Sequence, residues 1–319
     1  PEDIRYSVIR YITSDIQNAQ GPHVHDPRTG EILESDILWY HNVMNLLRNW
    51  YLVQTAAVNP EAQRVKFKDE VMGELIRFVA AHEVGHTLGL PHNMGSSVAY
   101  PVDSLRSPAF TKKMGTAPSI MDYARFNYIA QPEDGDVDLH PKIGPYDFWS
   151  IEYGYKPLLD TETPGEEHKI LHGWVKEKAG DPLYRYGQQR FNPQDPTAQT
   201  EDLGDDAVKA SEYGIANLKR ILPKIMEWSA QEGEDYDDLE ELYGQILAQL
   251  GRYTRHEGTY EGGVYEYRKT SDEDGIVFSP VAKEKQSAAI YFLNEQVIQT
   301  PKWLIAPDIT QRFEGIGTL

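Results

Sequence analysis

Cysteine is absent from the chain. With it go cysteine-ligated zinc, thiolate catalysis and any disulfide framework. Positive charge is scarce as well: 31 Lys and Arg stand against 50 Asp and Glu, a net charge of −19. A surface this acidic repels phosphate backbones, so no nucleic-acid partner is expected, and the plain reading of the charge is solubility. No run of 18 apolar residues occurs, so no membrane span is expected. The opening residues, PEDIRYSVIRY, do not read as a signal peptide and look like a cut through a longer precursor. What is plentiful is core material. Forty per cent hydrophobic and 11% aromatic residues over 319 positions suffice for one large domain or two ordinary ones.

Along the chain, Ile4 to Ile12 mixes β-branched and aromatic residues and predicts a strand. Residues 22–25, a turn at Asp26-Pro27-Arg28-Thr29-Gly30, and residues 32–40 predict strand, turn, strand. Helical spacing follows over 42–57 and again from about Lys68 to Leu88, where Val71, Leu75, Phe78, Val79, His82 and His86 share one face. Residues 89–142 are proline-punctuated and loop-like. Residues 144–153 predict a short helix stopped by Gly154. Further helices are expected over 166–177, 205–228, 235–253 and 282–298, with a hairpin between the last two. The fold class is α+β: a mixed half over residues 1–160, then a mostly helical half over 161–319.

One string carries chemistry: His82-Glu83-Val84-Gly85-His86-Thr87-Leu88-Gly89-Leu90-Pro91-His92. Residues four apart on a helix point the same way, so His82 and His86 can offer two imidazoles to one ion. Glu83 lies one step round, within reach of a water on that ion without being a ligand. Gly89 can take the left-handed conformation that ends a helix and turn the chain back, so that His92 reaches the same point. Three histidines leave a coordination position open, the mark of catalytic rather than structural zinc. Chance would place the full pattern in roughly one such chain in ten thousand.

The string resembles the extended zinc motif of the metzincins. Ser119-Ile120-Met121-Asp122-Tyr123, with Met121 29 residues after His92, is similar to that family's methionine turn. Asp147, Ile151, Tyr153 and Gly154 resemble the helix that closes its catalytic domain, which puts the domain edge near residue 160. More loosely, the whole chain resembles large secreted bacterial zinc metalloproteases with a helical extension. The resemblance implies a zinc-dependent endopeptidase acting on peptide or protein, in a secreted, periplasmic or cell-surface location. It implies Zn2+ on His82, His86 and His92, with Glu83 as general base to a zinc-activated water. It also implies Met121 as an apolar floor and Tyr123 as an oxyanion donor. Substrate would lie along an edge strand, residues 31–40 or 22–25, and the segment after Met121 would wall the pocket, where Arg125 either favours acidic side chains or, as the plainer reading, is simply solvated. Two departures are visible: only two or three strands precede the zinc helix, and Asn93 is not the residue that follows the third histidine in the best-known subfamilies. A non-peptidase zinc hydrolase and a peptidase fold that binds without cutting are the rival readings.

Weaker candidates remain. His23 and His25 would share one strand face, and a second metal there competes with a plain exposed strand. Asp134, Asp136 and Asp138, and Asp272 with Asp274, lack EF-hand spacing and read as solvated acids.

Overall fold

The computed structural model describes residues 3–313. Five short strands precede the first helix, in two sheets. Strands β1 (Ile9–Ile12), β2 (Ala19–Gln20) and β5 (Ile37–Tyr40) form one sheet in the order β1-β5-β2, with β1 parallel and β2 antiparallel to β5. Strands β3 (His23–His25) and β4 (Ile32–Ser35) form an antiparallel pair with a bulge between Val24 and His25. Asp36 explains why the predicted strands over 4–12 and 32–40 come out shorter and broken. Its carboxylate accepts the Val8 N–H at 3.0 Å and the Arg10 Nε at 2.6 Å, interrupting both runs at the same level. β5 is flanked on both sides, so β2 is an outer strand, and it is the one that lies against the second helix.

Helix α1 (Val43–Thr55) is followed by α2 (Asp69–Thr87), whose first turn carries Asp69 and Glu70, favourable at a helix N-terminus. α2 buries Leu75, Phe78, Val79, His82 and Glu83. After α3 (Pro108–Met114), a long loop leads to α4 (Pro145–Tyr155), with proline at its first turn. α5 (Pro164–Lys178) starts at a Thr163/Glu166 capping box. The single helix expected over 205–228 is instead α6 (Ala207–Ile221) and α7 (Ile225–Ser229), joined by a tight 3-10 turn. Pro223 has no N–H to continue the ladder. α8 (Asp237–Gly258) runs one turn beyond expectation, β6 (Val264–Glu266) and β7 (Phe278–Pro280) form the expected hairpin, and α9 (Lys283–Leu293) relaxes into a π turn before α10 (Pro307–Thr310).

One apolar cluster runs through both halves, from Trp39, Leu47, Leu75 and Phe126 to Leu218, Ile246, Tyr253 and Ile309. α1 is its spine, packing on α2 on one side and on α6 and α8 on the other. Arg48 of α1 reaches Asp238 at 2.7 Å and Glu241 at 2.6 Å on α8, and Asn45 and Asn49 both donate to Glu241 at 2.8 Å. No described helix is long and apolar enough to cross a membrane.

Buried Glu257 of α8 carries a pH signature. Its Oε1 takes the Ser211 hydroxyl at 3.3 Å, and its Oε2 has no partner among the described residues. Burial first, then the charges of Asp206 and Glu212, push its pKa up to about 8. A folded-state pKa above the unfolded value means the folded chain holds the extra proton. Stability is therefore full below the unfolded pKa and is lost as pH rises through about 8. Glu257→Gln removes that loss. Its melting temperature is expected to exceed the parent's by about 3 °C or more at pH 9, and to match it at pH 5. Equal differences at the two pH values in thermal melts would contradict this reading.

Candidate metal centre

The C-terminal turn of α2 does what its residues require. Gly89 sits at φ 86°, the Gly89 and Leu90 N–H groups donate back to the His86 and Gly85 carbonyls, and the chain reverses. That reversal carries His92 onto the face already occupied by His82 and His86. His92 Nε2 stands 3.2 Å from His82 Nε2 and 3.0 Å from His86 Nε2. Among the described residues these three form the one group of three or more His, Asp and Glu able to hold a metal ion, with donor atoms all within 4.8 Å.

The other ring nitrogens decide what those atoms are. His82 Nδ1 meets the Ile120 carbonyl at 2.7 Å, His86 Nδ1 the Leu90 carbonyl at 2.8 Å, and His92 Nδ1 the Gln189 Oε1 at 2.8 Å. Oxygen acceptors of this kind assign the proton to Nδ1 in each ring, which leaves three bare Nε2 lone pairs facing one another. Lone pairs this close repel unless a cation lies between them. Burial holds all three rings neutral, with the His82 pKa pushed down to about 3 and that of His92 to about 4. Neutral imidazole is the ligating form. The donor set therefore fits a divalent ion such as zinc.

The residues beneath the rings are locked from α4. Asp147 accepts the Ser119 hydroxyl at 2.6 Å and the N–H groups of Ile120 and Gly144, both at 2.8 Å. Ile120 then presents its carbonyl to His82. Met121 is buried, and its sulfur lies where a Cβ on Gly85 would come within 2.3 Å, so the methionine passes directly under α2. The Tyr123 ring stands 4.5 Å from that of His92 and 5.4 Å from that of His82, centroid to centroid. Burial raises its pKa, so the phenol stays protonated.

Glu83 is also buried, one residue round from His82. Burial raises its pKa to about 7, against the pull of a hydrogen bond from the Gly21 N–H, and its Oε2 has no partner among the described residues. Sequence reasoning missed Gly21. A Cβ there would meet the Glu83 carbonyl at 2.3 Å and the His86 Cβ at 3.1 Å, so glycine alone lets the segment after β2 lie on α2. His23 does not join a second metal group: its Nδ1 bonds the His86 carbonyl at 3.0 Å.

Arg125 is neither solvated nor aimed at a pocket. It is buried, its guanidinium lies 3.1 Å from the centre of the Trp50 ring, and it pairs with Glu201 at 2.9 Å. Glu201 also takes Arg252 at 2.7 Å and holds φ 67°, a left-handed backbone uncommon for glutamate. Three of the weaker acidic candidates are ion-paired: Asp134 with Arg106, Asp138 with Lys142, and Asp272 with Lys176. No curated protein and no solved structure matches the chain. A protein-family model described as Met-zincin matches residues 64–318.

Proposed function

The chain belongs to the Met-zincin family, which implies a zinc metallopeptidase, and on that premise we propose an endopeptidase in which His82, His86 and His92 hold the ion and Glu83 is the general base. The observation that carries the assignment of ligands is the convergence of three bare Nε2 atoms whose opposite nitrogens are all committed to oxygens. Bound there, zinc supplies Lewis acidity, acidifying water and polarising a carbonyl.

The remaining work belongs to side chains and backbone. Glu83 takes the proton of the attacking water and returns it to the leaving nitrogen as the C–N bond breaks. A pKa near 7 suits both transfers. The Tyr123 hydroxyl donates to the oxygen that gains charge as the carbonyl becomes tetrahedral. Substrate lies extended along β2 and Gly21, the outer strand beside α2, pairing by backbone hydrogen bonds. That edge, residues 19–21, adjoins the expected candidate strand over 22–25 and is neither of the two expected ones. Met121 serves as the apolar floor of a methionine turn. The catalytic unit is read as residues 1–160 and the extension as 161–319.

Metal analysis together with a peptide-library digest tests this reading. One zinc per chain is expected, with cleavage at internal bonds, loss of activity on chelation and its return with added Zn2+. Bound zinc with no cleavage of peptides or denatured protein would favour a binding module, and turnover of esters alone would favour a non-peptidase hydrolase.

A further inference from the structure

We propose that Gln189 is a positioning residue of the metal centre, holding the His92 ring so that Nε2 faces His82 and His86. The inference rests on the zinc reading above. His82 and His86 are fixed twice, by α2 and by backbone carbonyls. His92 lies beyond the helix, and among the described residues its Nδ1 is held only by the Gln189 side chain, 97 residues downstream, at 2.8 Å. Without that acceptor the ring can turn, or move its proton to Nε2 and cease to be a ligand.

The placement of Gln189 is built in. Asn93, wholly buried, accepts the Gly187 N–H on Oδ1 at 2.8 Å and donates from Nδ2 to the Arg185 carbonyl at 2.9 Å. The Met94 N–H donates to the Gly187 carbonyl at 2.7 Å, and Asn93 and Gln188 form an antiparallel bridge. Two glycines make the approach possible: a Cβ on Gly187 would stand 2.6 Å from the Gly95 Cα, and one on Gly95 2.8 Å from the Gly187 Cα. On its far side, Arg185 is tied to Asp195 at 2.8 Å and to the Thr197 carbonyl at 2.7 Å. The segment from Arg185 to Gln189 is thus clamped to the residues directly after His92, and it delivers one acceptor to one ligand.

The test is competition for Zn2+ between a chromophoric chelator and the full chain, as parent, Gln189→Leu and Gln189→Glu. Gln189→Leu keeps the side-chain bulk and removes the acceptor, so its zinc dissociation constant is expected to rise about tenfold or more. Gln189→Glu keeps an oxygen on Nδ1 and is expected to restore affinity to within about twofold of the parent. Because Gln189 is exposed, the melting temperatures of the metal-free proteins should coincide. Parent-like affinity in Gln189→Leu, or equal weakening in both variants, would overturn the inference while leaving the zinc reading intact. A parent that binds no zinc would remove both.

Discussion

Replacing Glu83 by glutamine should yield a chain that still binds one zinc ion and hydrolyses peptide about 10²- to 10⁴-fold more slowly. The amide has the shape of the carboxylate and can accept the Gly21 N–H that now reaches Glu83, so the fold and the three ligands are left in place. What is lost is a group able to accept a proton from water and give it up again. Glutamine also has no charge to desolvate in this buried position, so the variant should be at least as stable as the parent. Three measurements on one preparation are needed: zinc content, melting temperature and turnover. A zinc-loaded, folded variant retaining more than about a tenth of parental kcat would dismiss Glu83 as the base.

Tyr123→Phe is expected to lower kcat by about a hundredfold or more, since a lost donor to a developing oxyanion costs roughly 2.7–4 kcal/mol. KM should stay nearly constant, because that hydrogen bond strengthens only as charge develops. The ring sits against His82 and His92 through its faces and edges, contacts that phenylalanine reproduces. Zinc content should therefore be unchanged. A tyrosine present only for packing would leave kcat alone. Parental kcat in the zinc-loaded variant excludes the hydroxyl from catalysis and leaves the histidines and Glu83 to act without it.

The parts of the centre legible in the sequence are those whose spacing is set by local geometry. A helix fixes where residues four apart point, and a left-handed glycine fixes where the next turn goes, so His82, Glu83, His86 and Gly89 declare their arrangement within eight positions. The approach of Met121 to α2 was legible only in company with that string. Gly21, Asn93 and Gln189 were not legible. Each acts through a contact between segments remote in sequence, and nothing in residue type alone marks one glycine among 25 as the one pressed against Glu83. Arg125 illustrates the opposite error. Its place after the methionine left a solvated side chain or a pocket wall as the choices, but the acid that claims it, Glu201, arrives from beyond residue 160. The early strands were overextended for a similar reason: the alternation of residue types ran through Asp36, whose carboxylate ends both runs by capturing backbone and guanidinium donors.

The distance in sequence between His92 and its acceptor also has a meaning in time. A ribosome adding about 5–20 residues per second takes roughly 5–20 s to travel from one to the other, a separation of 97 positions. Throughout that interval the nascent chain already carries all three histidines and Glu83, while the acceptor for the last imidazole has yet to be added. The acceptor for His92 is thus synthesised after the strand segments, α1 and α2.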